Sequence, residues 1–253
     1  MRFWNRLRGV PEEIVCVSYP KSGRTWVRFA LDVAGASSVK FNHGGYASRN
    51  PDEMGYEFLG VRPKVFGDRN IFLYRNPLDT AVSEYYQMFN RIFTPDHAAY
   101  ERIRSRLAKL DRLPPASIDD FVLHPIWGCR KVSAFNAAHI AYFGRGKNNL
   151  IVRYEDLRRD PRRYFSQMLD FIGLENYDIE RVLRESSFEN MRALELNGDS
   201  DTRRAHKLYG MKANDENSLK VRKGKVGGYA DELRPETVEA ARAICATFGM
   251  SID

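Results

Sequence analysis

The chain has 253 residues, 43% of them apolar and 29% charged, with a net charge of +7 and a pI near 9.3. This composition is typical of a soluble globular protein, and the length suits one domain, residues 1–253, with a sizeable core. There is no apolar run of about 18 residues and no signal-peptide pattern, and three widely spaced cysteines form neither a disulfide framework nor a metal motif, so we expect a cytoplasmic protein without a membrane-spanning helix.

Residues 1–9 alternate aromatic or apolar side chains with arginines. Such a segment can lie on a membrane surface as a short basic amphipathic helix, or it can pack on the domain or fray. Peripheral membrane contact is therefore the most that we expect here. The positive charge of the whole chain implies acidic partners, for which a polyphosphorylated cofactor, an anionic acceptor and nucleic acid are candidates.

A strand–turn–helix unit opens the chain after this segment. The apolar run Ile14–Val17 predicts a strand, and a helical pattern of apolar residues starts at Trp26. Residues 18–26 between them read Ser-Tyr-Pro-Lys-Ser-Gly-Arg-Thr-Trp. In this geometry Gly23 permits the bend, Lys21 adds charge, and backbone N–H groups point at an anion. We predict a phosphate-binding loop, although a Walker P-loop places its lysine after the second glycine.

A second corner of the same kind follows the apolar run Ile71–Tyr74. Asn76 suits the N-cap of the next helix, and Pro77 suits its first turn. Arg75 leaves the strand tip, and Ser83 lies about two turns into the helix. Both side chains can therefore reach one phosphate, through a charge-assisted fork and a hydroxyl.

The remaining elements continue the alternation of strands and helices. Strands are expected at residues 39–41 and 150–154, and helices at residues 100–113, 118–143 with a break near Pro125 and Gly128, 161–173, 179–183 and from Pro235 onward. Residues 197–229 are polar and low in core residues, which predicts a lid over the site. The alternation predicts an α/β fold with a parallel sheet wound on both faces and ligands at the carboxyl ends of the strands.

Together these segments resemble the sulfotransferases that use 3′-phosphoadenosine 5′-phosphosulfate (PAPS). Residues 19–26 resemble their 5′-phosphosulfate loop, and residues 75–85 are similar to the segment that holds the 3′-phosphate of the nucleotide. Residues 186–191, Ser-Ser-Phe-x-x-Met, look like the stretch that packs against the adenine. Tyr154 matches a tyrosine that contacts the base, and residues 222–224 match an Arg-Lys-Gly that closes over the 3′-phosphate. The matches keep the family's order and cover most of the chain.

The resemblance implies a P-loop-like three-layer α/β fold and transfer of the sulfuryl group of PAPS to an acceptor without a metal, leaving adenosine 3′,5′-bisphosphate (PAP). Lys21 would act as a catalytic residue that stabilises the leaving phosphate. Two departures stand out: Arg24 replaces a frequent threonine, and residues 227–229 replace Gly-Asp-Trp, which leaves the packing of the lid open. The implied cofactor-binding residues are Lys21, Ser22, Gly23, Arg24, Thr25, Trp26, Arg75, Ser83, Tyr154, Ser186, Phe188, Arg222, Lys223 and Gly224.

An acceptor hydroxyl needs a base, and His43 is the first candidate. It follows a strand-like run, glycines leave room beside it, and a histidine near its unperturbed pKa suits proton transfer. The resemblance agrees, because many family members use a histidine at a strand end. Weaker alternatives are His97, His124, His139 and His206, with Glu53 and Asp68 as carboxylates.

Two other functions were weighed against this hypothesis. A P-loop-like nucleotide kinase would need Mg²⁺ and a carboxylate, for which Asp79 could serve. A nucleic-acid binder would use the positive charge, but no helix-turn-helix, zinc or RNA-binding signature is present. The acceptor stays open among a saccharide, a lipid-linked molecule and a small alcohol or phenol, and so does the oligomeric state.

Overall fold

The computed structural model describes residues 12–44, 66–93, 100–109, 111, 113–197, 208, 217 and 219–252. Within them, four strands form one parallel sheet in the order β2-β1-β3-β4. The strands are β1 (Ile14–Ser18), β2 (Lys40–Asn42), β3 (Arg69–Tyr74) and β4 (Asn149–Arg153).

Helices connect and flank the strands. A π-helical turn, Met88–Ile92, continues the second helix, and a 3₁₀ turn, Gly228–Asp231, precedes the last one. The helices are α1 (Arg24–Val33), α2 (Pro77–Gln87), α3 (Tyr100–Lys109), α4 (Ile118–Leu123), α5 (Cys129–Phe143), α6 (Tyr154–Arg159), α7 (Pro161–Phe171), α8 (Ile179–Glu185), α9 (Phe188–Asn197) and α10 (Pro235–Ala246).

The strands are apolar at successive positions because both faces of the sheet are covered. On one face, Val17 and Phe72 pack with Phe135 of α5. On the other face, Cys16 and Leu73 pack with residues of α1, α7 and α8. The predicted arrangement, a parallel sheet between two layers of helices, is confirmed.

Cap chemistry sets the helix starts that the sequence predicted. The Asn76 side chain accepts hydrogen bonds from the backbone N–H groups of Leu78 (2.8 Å) and Asp79 (3.3 Å), and Asp160 accepts one from Arg163 (3.0 Å). The predicted break between two helices is also present, since α4 ends at Leu123 and α5 begins at Cys129.

Some boundaries predicted from the sequence were wrong, and one helix was missed. Tyr154 begins α6 and does not end β4, and α9 was not predicted at all. The third helix ends at Lys109 and not at residue 113, and Asp111 then adopts the left-handed region with a φ of 51°. A non-glycine residue in that region ends a right-handed helix because it turns the chain away from the helix axis.

Some predictions fall outside the described residues. Residues 1–9 lie there, as do most residues between 198 and 218. The single domain over residues 1–253 and the lid at residues 197–229 therefore stay predictions. Among the residues that are described, no helix is both long enough and apolar enough to cross a membrane.

Candidate active site

The carboxyl ends of the four strands bring the sequence motifs to one edge of the sheet. The register aligns Val17 of β1 with Asn42 of β2 and Phe72 of β3, and Phe72 with Ile151 of β4. The phosphate-binding loop, His43, Arg75 and Tyr154 follow these strand ends directly. Segments that are far apart in the chain thus meet where a parallel sheet presents its ligand site.

The phosphate-binding loop, residues 19–23, turns sharply before α1. Lys21 and Gly23 have φ angles of 67° and 94°, and a Cβ atom at Gly23 would lie 2.5 Å from Cδ2 of Tyr154. Glycine is therefore required both by the backbone angle and by the ring packed against it. Lys21 donates from Nζ to Oε1 of Gln87 at 3.3 Å, so its ammonium group lies beside α2.

The start of α1 is built to accept an anion. The first turn of the helix carries no acidic residue, and its N-cap, Gly23, offers no side chain to the free backbone N–H groups. Thr25 lies in this first turn. The hydroxyl of Ser22 is fully buried and has no hydrogen-bond partner among the described residues. A buried unsatisfied hydroxyl is costly, and phosphate oxygens would satisfy it.

Arg75 links three parts of the site. Its guanidinium donates to the carbonyl oxygens of Lys21 (3.4 Å) and Lys225 (3.1 Å), and it lies 3.4 Å from a carboxylate oxygen of Asp79. The same group lies 4.6 Å from the ring centroid of Tyr154, and its Nε is buried without a partner in the described structure. Arg75 therefore faces the loop with a donor still available. Ser83, further along α2, is partly exposed.

Asp79 holds residues 227–229 against α2; these residues follow the Arg-Lys-Gly sequence at residues 222–224, which we call the lid motif. Its carboxylate accepts hydrogen bonds from the backbone N–H groups of Gly227 (2.9 Å) and Tyr229 (3.1 Å) and pairs with Arg75. Tyr229 is buried, and its hydroxyl donates to the carbonyl oxygen of Ile252. Residues 227–229, which differ from the Gly-Asp-Trp of the family, therefore have a defined packing. Their backbone N–H groups also engage Asp79, the carboxylate that the kinase hypothesis assigned to Mg²⁺.

Glu232 holds the two basic residues of the lid motif and was missed by the sequence reasoning. It accepts from Nη1 of Arg222 (2.7 Å), Nζ of Lys223 (2.8 Å) and the hydroxyl of Tyr86. Burial opposes its ionisation, but these donors outweigh burial and hold the pKa of Glu232 below its usual value. The guanidinium of Arg222 also lies 4.1 Å from the Tyr86 ring. Both cations are thereby kept beside α2.

Helix α9 supports the same motif from the other side. A Cβ atom at Gly224 would lie 2.6 Å from Cδ2 of Phe188, so the backbone runs directly against that ring. The buried carboxylate of Glu195 accepts from the backbone N–H groups of Lys220 and Val221, both at 2.8 Å. Because these partners lie 25 residues or more away, no local pattern indicated them.

Aromatic residues line the far end of the edge. The indole N–H of Trp26 donates to the carbonyl oxygen of Ser186 at 2.8 Å, and its ring meets that of Tyr154 edge-on with centroids 5.9 Å apart. Ser186 is buried. The structure thus brings Trp26, Tyr154 and the segment beginning at Ser186 together. The contacts of Tyr154 and residues 186–191 with an adenine stay predictions.

His43 stands at the opposite end, after β2. Its Nδ1 lies 3.1 Å from the carbonyl oxygen of Ser18, and because a carbonyl only accepts, Nδ1 carries the proton and Nε2 the lone pair. Burial, and then the nearby Arg24 guanidinium, lower its pKa to about 3. The expectation of an unperturbed pKa was therefore wrong. The imidazole is neutral near pH 7 and can accept a proton, and its role as base stays a prediction.

The other base candidates differ in their positions. A Cβ atom at Gly44 would lie 2.9 Å from Nε2 of His139, so His139 lies close to the residue that follows His43. Asp68 lies before β3, at the amino end of the sheet, and accepts from the backbone N–H of Glu13 at 3.0 Å, so that alternative was wrong. His124 accepts locally from the N–H of Ile126, and His139 is buried against Phe135. His97, His206 and Glu53 lie outside the described residues.

Buried histidines make the stability of the protein depend on pH. Burial lowers the pKa of His43 to about 3 and that of His139 to about 4, against 6.5 when unfolded. The unfolded chain binds more protons below pH 6.5, so the free energy of unfolding falls as the pH falls from 6.5 toward 4 and is unaffected by these groups above 6.5. Each histidine contributes a slope of about 1.4 kcal/mol per pH unit.

Urea unfolding at pH 7, 6 and 5 measures this slope. The variant His43→Gln should lack the contribution of His43 to this slope. The carboxylates contribute equally to the slopes of the variant and the wild type. An unchanged slope in the variant would contradict the burial of a neutral His43.

The chain is similar to known sulfotransferases in sequence. The family model described as "Sulfotransferase domain" matches residues 67–248. Cytosolic sulfotransferase 17 of Arabidopsis thaliana is 26% identical over 274 residues, covering 90% of this chain and 71% of that protein. Flavonol 3-sulfotransferase of Flaveria bidentis is 24% identical, covering 90% and 79%.

Solved structures share the fold. Mouse sulfotransferase SULT7A1 complexed with PAP has a TM-score of 0.58 and 18% identity, covering 92% of this chain and 82% of its own. Retinol dehydratase in complex with androsterone and inactive cofactor PAP has a TM-score of 0.54 and 14% identity, covering 93% and 80%. The described residues contain no group of three or more metal-ligating side chains.

Proposed function

Because the chain belongs to the sulfotransferase family, we propose that it transfers the sulfuryl group of PAPS in line onto a hydroxyl of a small-molecule acceptor. The family match confirms the predicted enzyme class, a PAPS-dependent sulfotransferase, and disfavours the kinase. The observation that carries the proposal is the meeting of the phosphate-binding loop, Arg75 and Lys225, which directly follows residues 222–224, at the edge that also holds His43.

The proposed nucleotide site extends across this edge from β1 to β4. The loop amides, Lys21, Ser22 and Thr25 would hold the 5′-phosphate. The buried hydroxyl of Ser22, which has no partner among the described residues, supports this fit. The 3′-phosphate would lie against Arg75, Ser83 and the basic pair Arg222 and Lys223. The adenine would pack between the aromatic groups described at the far end, with Phe188 beneath Gly224.

In this reaction the protein contributes by positioning the reactants and by stabilising the charge that develops. The bond from sulfur to the phosphate oxygen breaks as the bond from sulfur to the acceptor oxygen forms. Lys21 stabilises the negative charge left on the phosphate, and Nε2 of His43 takes the proton of the acceptor hydroxyl. The pKa of about 3 makes the free imidazole a weak base, and the negative charge of a bound donor would raise that pKa.

For the acceptor and the cellular location, we propose only a class of molecule and a compartment. Family relatives carry names such as flavonol 3-sulfotransferase, which supports a small molecule, and a saccharide or lipid-linked acceptor remains open. A cytoplasmic location is supported by relatives named as cytosolic sulfotransferases. Nucleic acid is not among the proposed partners.

Nucleotide selectivity tests the proposal. Titration calorimetry without Mg²⁺ should show that PAP binds at least 100-fold more tightly than ATP, because ATP lacks the 3′-phosphate that we assign to Arg75 and residues 222–224. Supplying [³⁵S]PAPS with a panel of phenols, alcohols and sugars should then give a labelled product that the variant His43→Gln forms more slowly. Binding of ATP that depends on Mg²⁺, without binding of PAP, would favour the kinase instead.

A further inference from the structure

Arg24, the first residue of α1, is a partly buried cation without an anionic partner among the described residues. It makes no hydrogen bond or ion pair in the part of the chain that the structure describes. Burial, and then the charge of Arg28, lower its pKa to about 10, so it stays protonated at neutral pH. A buried charge is costly unless an opposite charge or hydrogen bonds compensate it. Within the described structure Arg24 therefore lacks a counter-charge, and a ligand could supply one.

Helix geometry places this side chain beside His43. Arg28 lies with its guanidinium 4.3 Å from the ring centroid of Phe41 in β2. Arg24 is one helical turn, about 6 Å, nearer to the carboxyl edge, because α1 runs antiparallel to the strands. His43 is two residues, about 7 Å, beyond Phe41 in the same direction. Consistently, Arg24 is the charge that most lowers the pKa of His43.

The surroundings of Arg24 and His43 offer proton donors and no described anion. Among the described residues, no carboxylate is close enough to either side chain to shift its pKa. Ser18 shares the α1-facing side of β1 with Cys16, because side chains alternate along a strand. The hydroxyl of Ser18 is fully buried and lacks a partner among the described residues. This pocket is thus suited to an oxyanion.

We propose that Arg24 binds the oxygens of the transferring sulfuryl group, on the side opposite Lys21. The inference rests on the proposed function. The phosphate-binding residue Arg75 follows β3, on one side of β1, whereas Arg24 faces β2 and His43 on the other side. An oxyanion on that side is the group being transferred. The planar guanidinium can donate to two sulfuryl oxygens at once and so hold the sulfur in line between the loop and the acceptor.

PAP and PAPS differ by the sulfuryl group alone, which makes their binding the direct test. Calorimetry compares the affinities of the wild type with those of Arg24→Gln, Arg24→Lys and the matched control Arg28→Gln for PAP and PAPS. The titrations are run at low temperature and without acceptor, and the PAP released is quantified to check that PAPS stays intact. Arg28 carries the same charge on the same helix face but packs on Phe41. Thermal unfolding of each variant checks its folding.

Arg24→Gln should weaken the binding of PAPS about tenfold or more and change the affinity for PAP less than about twofold. A hydrogen bond to a charged group contributes about a factor of ten or more to the affinity. Arg24→Lys should recover part of the loss, and Arg28→Gln should leave both ligands unchanged. Equal losses of PAP and PAPS would assign Arg24 to the phosphate and overturn the proposal, as would no loss of either. A wild type that binds neither nucleotide would overturn the proposed function and this inference with it.

Discussion

Replacing Arg75 with glutamine should weaken the binding of PAP about 100-fold or more while leaving that of 5′-AMP within about threefold, because the two ligands differ by the 3′-phosphate alone and two charge-assisted hydrogen bonds are lost. Arg75 is held in place by carbonyl oxygens on two segments and by Asp79, yet its buried Nε has no partner among the described residues. A phosphate would complete its hydrogen bonds. Calorimetry with both nucleotides measures the difference.

Arg69→Gln is the matched control for this experiment. Arg69 begins the same strand at the amino edge of the sheet, where it pairs with Glu12 at 2.8 Å, so its loss should affect neither nucleotide. If Arg75→Gln weakened AMP as much as PAP, then Arg75 would act by shaping the loop through Lys21, and the assignment to the 3′-phosphate would be wrong.

Asp79→Asn should lower the free energy of unfolding by about 3 kcal/mol, because the substitution leaves a buried cation and a buried backbone N–H without their acceptor. The carboxylate is almost fully buried and uses both oxygens, on Gly227 and Tyr229, besides pairing with Arg75. An asparagine keeps the size but offers one acceptor oxygen and no charge. Urea denaturation measures the loss, and limited proteolysis should show cleavage near residues 225–229.

Asp231 provides the control, since it also bonds the same segment. Its carboxylate accepts from Nζ of Lys225 at 2.7 Å, but both side chains are about half exposed. Surface ion pairs of this kind contribute little, so Asp231→Asn should leave the midpoint of unfolding unchanged. Equal effects of the two substitutions would mean that Asp79 does not anchor the segment.

Local sequence features predicted the elements well where the chemistry is local. Alternating strands and helices, the Asn76 and Asp160 caps and the glycine in the phosphate-binding loop each depend on a few neighbouring residues. Helix α9 was missed because its five apolar residues are spread around the helix axis and form no single apolar face, so its stability comes from packing: Met191 lies against Phe29 of α1, and Glu195 bonds the segment at Lys220. Such contacts leave no periodic pattern.

The sequence by itself determined the α/β fold, the motifs and the family, since cap residues, turn glycines and runs of buried strand residues act over a few positions. The tertiary structure decided which partners these side chains have and how their pKa values shift. Glu232 became the anchor of Arg222 and Lys223, the pKa of His43 fell to about 3, and Arg24 has no counter-charge among the residues that the structure describes. The reason is physical: desolvation and Coulomb interactions sum over atoms that folding brings together from distant parts of the chain, and no local pattern records that sum.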